Sequence, residues 1–113
     1  RWEMDKANQV VSGMITEHPD LKGIFCANDN MALGAVAALK AAGKLDKVLV
    51  AGFDNISAVR QLVKEGRIVA TVDQHANNLA LFGIQWALEM LKTKTNGTDL
   101  ETPVDLITRE SLR

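Results

Sequence analysis

The sequence has 113 residues, of which 47% are hydrophobic, and 13 basic against 14 acidic side chains leave a net charge of −1. This composition is typical of one globular domain and excludes a disordered, collagen-like or disulfide-stapled chain. No run of Lys or Arg could neutralise a row of phosphates, so we expect no nucleic-acid binding from this segment. A single cysteine, Cys26, excludes an internal disulfide. No secretory signal is recognisable and no apolar stretch reaches ~18 residues, so we expect no direct membrane insertion.

Short apolar segments of strand length alternate along the chain with segments of helical periodicity. From Met4, apolar residues recur every three or four positions, which predicts a first helix before the turn at 18–20. Further helices are predicted to begin near residues 31, 56 and 79, and Gly43 and Gly66 end two of them. The predicted strands are 21–27, 48–53, 68–72 and 103–108.

This alternation predicts an α/β layer fold with a mostly parallel sheet, right-handed crossovers and helices on both faces. In such sheets ligands bind beyond the carboxyl ends of the strands, where loops and helix N-termini meet. Three polar loops follow predicted strands, at residues 28–30, 54–55 and 73–75.

For any one of these loops, capping of the next helix is the simpler interpretation, by Asn28, Asp29 or Asn30 in the first case and by Asp54 or Asn55 in the second. Together, however, Asn28, Asp54 and Gln74 offer two amides and a carboxylate, which suit a polyhydroxylated ligand because each sugar hydroxyl both donates and accepts hydrogen bonds. Trp2, just before the first helix, would either stack on a sugar ring or pack in the core.

No residue pattern indicates catalysis. Motifs for phosphate loops, dinucleotide binding, nucleophile elbows and zinc helices are absent. Cys26 lies in an apolar strand, and neither His18 nor His75 has an evident partner in the sequence. We therefore expect a binding protein with no catalytic residue, no metal and no cofactor.

Three motifs occur in order along the chain: NDNMALGA at 28–35, VAGFD at 50–54 and GRIVATVDQ at 66–74. They resemble the C-terminal portion of ribose-binding-type periplasmic proteins, the sugar-capturing subunits of ABC importers. In that family the first Asn, the Asp and the Gln of these motifs bind sugar hydroxyls, and an aromatic residue, usually Phe, stacks on the ring. The resemblance thus implies Asn28, Asp54, Gln74 and Trp2 as ligand-binding residues.

The resemblance also implies two lobes that close around a monosaccharide, ribose-like or related, in the periplasm or another extracytoplasmic space, and that deliver it to ABC permease subunits. Residues 1–74 would form the C-terminal sugar-binding lobe. Residues 75–102 would pack on an N-terminal lobe that this sequence lacks, and residues 103–113 would return as a strand.

The residues of the fourth helix agree with that division. Only Gln85 and Glu89 are strongly polar between residues 79 and 91, so the helix is more apolar than a surface helix should be. Either it lies at the centre of this chain's own core, or it needs cover from the missing lobe, from a second chain that supplies it, or by self-association.

The alternative is the effector-binding domain of a lactose-repressor-type transcription regulator, which shares this fold and similar first and second motifs. Those regulators more typically carry a Pro and paired Thr before the Gln, as in P-x-L-T-T-V, whereas this chain has GRIVATV at 66–72. A flavodoxin-like enzyme would need a cofactor that no motif indicates. The sequence favours the transport protein.

Overall fold

The fold is that of a computed structural model that describes every residue from Arg1 to Arg113. Helices and strands alternate in the predicted order, which confirms the α/β class. The helices are α1 (Met4–Glu17), α2 (Asp29–Ala41), α3 (Ser57–Lys64) and α4 (Ala76–Thr93). The strands are β1 (Gly23–Phe25), β2 (Leu49–Ala51), β3 (Ala70–Asp73) and β4 (Asp105–Thr108), and a 3-10 turn at Glu110–Leu112 follows.

The four strands form one sheet in the order β1-β2-β3-β4. The first three strands are parallel, and β4 runs antiparallel to β3, so that Asp73 at the end of β3 pairs with Asp105 at the start of β4. The carboxyl ends of β1, β2 and β3 therefore lie at one edge of the sheet together with the start of β4. We call this the carboxyl edge, formed by residues 26–29, 52–56, 73–75 and Asp105.

Helices α2 and α3 pack against one face of the sheet, and α1 packs against α2. The close approach of α1 and α2 depends on Gly34, since a Cβ there would overlap the Met4 carbonyl oxygen and lie 3.0 Å from the Ala7 Cβ. Apolar side chains from all three helices and the strands fill the interface. They include Val11, Ile15, Leu39, Val50, Val59, Val63 and Ile68.

The prediction of helices on both faces of the sheet is wrong for this chain. Side chains alternate along a strand, so the buried Val50 faces the helices and Leu49 faces the other way, where it is 65% exposed. Phe25 is 72% exposed and Leu106 is also exposed. The order of the strands explains the difference. The chain adds β2 next to β1 and then β3 next to β2, always in the same direction across the sheet. With right-handed crossovers, the connecting helices α2 and α3 must then lie on the same face.

Helix α4 projects away from this core. It has 18 residues and none is buried, so it is not the centre of the chain's own core. The radius of gyration is 17.7 Å and the longest dimension is 57 Å, whereas a compact domain of this length has a radius near ~13 Å. None of the helices combines the length and the apolar character needed to cross a bilayer. Trp86 and Met90 lie against Gly97. Other apolar residues of α4 remain exposed, namely Leu81, Ile84, Leu88 and Leu91.

Candidate functional site

Asn28 joins the start of α2 to the start of α1. Its side-chain Oδ1 accepts a hydrogen bond from the Met31 backbone N–H (2.8 Å), so the predicted capping role of Asn28 is confirmed. Its Nδ2 donates to the carbonyl oxygen of Trp2 (3.3 Å). The Trp2 residue is 65% exposed, so its indole is not part of the core.

Asp54 and Gln74 form a second hydrogen-bonded pair. Gln74 Nε2 donates to Asp54 Oδ1 (2.8 Å), and the Asp54 backbone N–H donates to the Val72 carbonyl oxygen (2.8 Å). Asp54 is exposed and Gln74 is half-buried. The second carboxylate oxygen of Asp54 has no partner within the chain, so it is available to accept a hydrogen bond from outside.

The two pairs lie on neighbouring loops of the carboxyl edge. The backbone N–H of Asp29, next to Asn28, donates to the carbonyl oxygen of Phe53, next to Asp54 (2.8 Å). The structure thus places Trp2, Asn28, Asp54 and Gln74 at the same edge of the sheet. They form an open wall there, because no other part of this chain covers the side chains of Trp2 and Asp54.

The prediction that Asp54 or Asn55 caps α3 is wrong. The N-cap residue of α3 is Ile56, whose side chain cannot cap, and its backbone N–H instead donates to Asp29 Oδ2 (2.9 Å). In a capping box, a Glu at the third helical position accepts a hydrogen bond from the N-cap backbone N–H of its own helix. Asp29 makes the same kind of bond to the N-cap of α3, but from α2. The sequence indicated Asp29 only as one of three candidate caps for α2, with no link to α3.

Asp29 also contacts β3 and β2. The carboxylate is fully buried, and its Oδ1 accepts from the Thr71 hydroxyl (2.8 Å). Gly52 leaves room for it, since a Cβ there would overlap Asp29 Oδ1 and lie 3.2 Å from the Ala32 Cβ. Gly52 of the VAGFD motif and Asp29 of the NDNMALGA motif are therefore in direct contact, and the buried position of Asp29 depends on the missing side chain of Gly52.

His75, for which no partner was evident in the sequence, lies between two carboxylates at the carboxyl edge. Its Nε2 lies 2.7 Å from Asp105 Oδ2, and its Nδ1 lies 3.8 Å from Asp73 Oδ2. Asp73 accepts hydrogen bonds from the His75 backbone N–H (2.8 Å) and from Asn55 Nδ2 (3.0 Å). These two bonds, the backbone one first, lower the pKa of Asp73 below its ordinary value.

Cys26 is buried at the end of β1, as its place in an apolar segment predicted. Burial raises the pKa of its thiol, and the negative charge of Asp29 raises it further. A thiol in this environment stays protonated near neutral pH and is a poor nucleophile.

A polar hollow of about 300 Å³ opens at the carboxyl edge beside Asp54. It is lined by Asp54, Asp73, His75, Ala76, Asn77 and Asn78. Its volume falls at the lower end of the range of small-molecule sites, and the hollow is open to solvent on one side. Of the four sugar-binding residues that the sequence predicted, only Asp54 lines this hollow.

The family follows from comparison with known proteins. Residues 1–95 match the model of the periplasmic binding protein domain family, and the chain belongs to this family. The match and the relatives below confirm the resemblance to ribose-binding-type periplasmic proteins.

Curated relatives of this chain include sugar-binding proteins. The chain is 50% identical over 111 residues to the D-ribose/D-allose-binding protein of Pseudomonas aeruginosa. This alignment covers 95% of this chain and 35% of that protein. It is 38% identical over 101 residues to the ribose import binding protein of Escherichia coli, and this alignment covers 89% of this chain and 33% of that protein. The chain therefore spans about a third of the length of these curated relatives.

Solved structures agree with the fold. An ABC transporter periplasmic solute-binding protein of Actinobacillus succinogenes, with bound D-allose, superposes with a TM-score of 0.89 at 34% identity. The superposition covers 98% of this chain and 39% of that one. A myo-inositol-binding protein of Caulobacter, with bound myo-inositol, has a TM-score of 0.86 at 33% identity and covers 97% and 38% of the two chains.

Proposed function

We propose that this chain forms one wall of a monosaccharide receptor that serves an ABC importer in the periplasm or an equivalent extracytoplasmic space. The ligand is a ribose-like sugar or a related monosaccharide, which agrees with the D-ribose, D-allose and D-apiose in the names of similar proteins. The receptor captures and delivers its sugar without covalent chemistry, so the chain has no catalytic residue.

The observation that carries this proposal is the grouping of Trp2, Asn28, Asp54 and Gln74 at the carboxyl edge. Asp54 and Gln74 bond to each other at 2.8 Å, which orients the carboxylate and leaves one of its oxygens free. A sugar hydroxyl that donates to this oxygen gains a charge-assisted hydrogen bond, which contributes ~1.5–3 kcal/mol. Asn28 supplies a second polar contact, and the exposed indole of Trp2 supplies an apolar surface for the C–H face of the sugar ring.

The open wall needs a second wall for tight binding. We infer that residues 1–74 form the sugar-binding lobe, that residues 75–102 with α4 pack on a second lobe, and that residues 103–113 return to the first. The second lobe is supplied by a longer polypeptide that contains this chain, or by a second chain. We call the complete assembly the two-lobed protein. The absence of buried residues in α4 supports this division.

The mechanism that this arrangement supports is capture by closure. Sugar contacts both lobes only in the closed state, so binding shifts the population toward that state, and the closed form then docks on the permease subunits. Closure also removes water from around the Asp54 carboxylate, which strengthens its hydrogen bonds. A single wall retains only part of the contacts, so this chain alone should bind sugar weakly.

Calorimetry on the two-lobed protein tests the proposal. Among pentoses and hexoses, we expect D-ribose or D-allose to bind, and Asp54→Ala to weaken binding by about tenfold to a hundredfold through loss of the charge-assisted bond. Asn28→Ala should also weaken binding. Asp20→Ala, which removes an exposed aspartate outside the carboxyl edge, is the matched control and should bind as the unmodified protein does.

The proposal fails if no monosaccharide binds. It also fails if a sugar binds and Asp54→Ala and Asn28→Ala both retain the full affinity, because the sugar would then contact a different surface of the lobe.

A further inference from the structure

Asp29 is a buried charged residue that has no part in the sugar contacts proposed above. It is fully buried, and no basic side chain forms an ion pair with it. Its carboxylate accepts hydrogen bonds only from the Thr71 hydroxyl and from the Ile56 backbone N–H. It is the first residue of α2 and lies at the start of α3, so the positive ends of two helix dipoles stabilise its charge.

The loop that carries Asp54 has an unusual backbone. Asp54 has φ of 121° and Asn55 has φ of 57°, so two consecutive residues with side chains lie in the region that favours glycine. Such a conformation is strained and persists only where surrounding contacts fix it. The direction of the Asp54 carboxylate therefore depends on those contacts.

Three successive backbone N–H groups hold this loop. The N–H of Asp54 donates to the Val72 carbonyl oxygen (2.8 Å), which is an extension of the sheet. The N–H of Asn55 donates to Thr71 Oγ1 (3.2 Å), and the same hydroxyl donates its proton to Asp29 Oδ1 (2.8 Å). The N–H of Ile56 donates directly to Asp29 Oδ2 (2.9 Å). Two of the three contacts thus depend on Asp29.

We propose that Asp29 is a positioning residue that holds the 54–56 loop in its strained conformation, directly through Ile56 and indirectly through Thr71, and so aims the Asp54 carboxylate at the sugar. Asp29 does not touch the sugar and acts only through Asp54. This inference rests on the proposed function, because Asp54 must be a sugar contact for the positioning to matter.

A substitution series at Thr71 in the two-lobed protein tests the inference, with D-ribose and D-allose as calorimetric probes. Thr71→Val keeps the shape of the side chain but leaves the Asn55 N–H and Asp29 Oδ1 without their partner, so we expect a loss of about tenfold in affinity. Thr71→Ser restores the hydroxyl and should recover most of the affinity. Thr16→Val, which changes an exposed threonine of α1, is the matched control.

The decisive comparison repeats Thr71→Val in an Asp54→Ala background. Positioning through Asp54 predicts that Thr71→Val has no further effect on affinity there, whereas general damage to the lobe would lower affinity by the same factor in both backgrounds. An equal loss in both backgrounds, or no loss in either, overturns the inference. If Thr71→Val does not fold by circular dichroism, Asp29→Asn takes its place in the same comparison.

Amide hydrogen exchange separates failure of this inference from failure of the proposed function. Whether or not a sugar binds, Thr71→Val should raise the exchange rate of the Asn55 amide by about tenfold, and the Thr16→Val control should not. Unchanged exchange at Asn55 shows that the network does not hold the loop and overturns the inference. If exchange at Asn55 rises but the protein binds no sugar, the network does hold the loop. It then has no role in sugar binding, which also overturns the inference.

Discussion

Asn28 and Asp54 differ in whether they cap a helix, and both keep hydrogen-bonding groups that are free for another partner. Asn28 caps α2 with one lone pair of its oxygen, and its amide keeps one proton and one lone pair for another partner. Asp54 caps nothing, because Asp29 takes that place at α3. The backbone of Asp54 is strained, and its exposed carboxylate has a single hydrogen bond within the chain, from Gln74. Both features support the proposal that Asp54 binds a ligand.

Asp73 should couple stability to pH. Its pKa is lowered in the folded state by hydrogen bonds from the His75 backbone N–H and the Asn55 side chain. A lowered folded pKa stabilises the protein above the unfolded value, 3.8, and this contribution is lost as the pH falls through the lower folded value. We expect the free energy of unfolding to fall on acidification, and to fall less in Asp73→Asn.

Urea unfolding between about pH 3 and pH 6, followed by circular dichroism, measures this difference. Asp20→Asn is the control, since the Asp20 side chain makes no hydrogen bond, and it should keep the slope of the unmodified protein. An Asp73→Asn variant with the same acid dependence as the unmodified protein would show that the bonds to His75 and Asn55 do not stabilise the ionised carboxylate.

The elements differ in how well the sequence predicts them. Helix starts and stops depend on local signals, such as the Asn28 cap and Gly43, so both ends of α2 were predicted to within two residues. The first two strands were predicted as 21–27 and 48–53 but contain three residues each, because hydrogen bonding to a neighbouring strand decides where a strand ends. Apolar character alone does not contain that information.

The contacts of Asp29 could not be predicted from the sequence either. Its partners Ile56 and Thr71 are 27 and 42 residues away in sequence, so only the folded chain reveals that the carboxylate links α2 to the start of α3 and to β3. Asn28, Asp54 and Gln74 were accessible to sequence reasoning because each lies in a recognisable motif near the end of a strand. Trp2 was accessible because it lies just before the first helix.

Helix α4 should change most between this chain alone and the two-lobed protein. None of its residues is buried, and an isolated helix of this length is only marginally stable in water. We expect its backbone amides to exchange rapidly in the 113-residue chain and at least about tenfold more slowly in the two-lobed protein, where packing stabilises it. Hydrogen exchange with mass spectrometry measures this.

Helix α2 provides the internal control for that comparison, because its residues 32–39 lie largely in the core of the lobe itself. Their exchange should be slow in both forms. Equal exchange of α4 in the two forms would contradict the proposal that residues 75–102 pack on the second lobe.

At the scale of the molecule, the chain is an elongated lobe with one uncovered sheet face and a projecting helix. Its sequence predicted the α/β class and the edge where the polar loops meet, because both follow from the alternation of elements. It did not predict the uncovered face, since that depends on the direction in which successive strands are added. The open wall, the largely exposed helix α4 and the family membership support the proposal of a receptor with two lobes.

The measurement that tests this account most directly is a map of amide and side-chain NMR shifts in the two-lobed protein on titration with D-ribose or D-allose. We predict the largest changes within this chain at the side-chain amides of Asn28 and Gln74, the Trp2 indole N–H and the backbone of residues 54–56. Saturable binding with changes confined to other surfaces, and none at these groups, would contradict it.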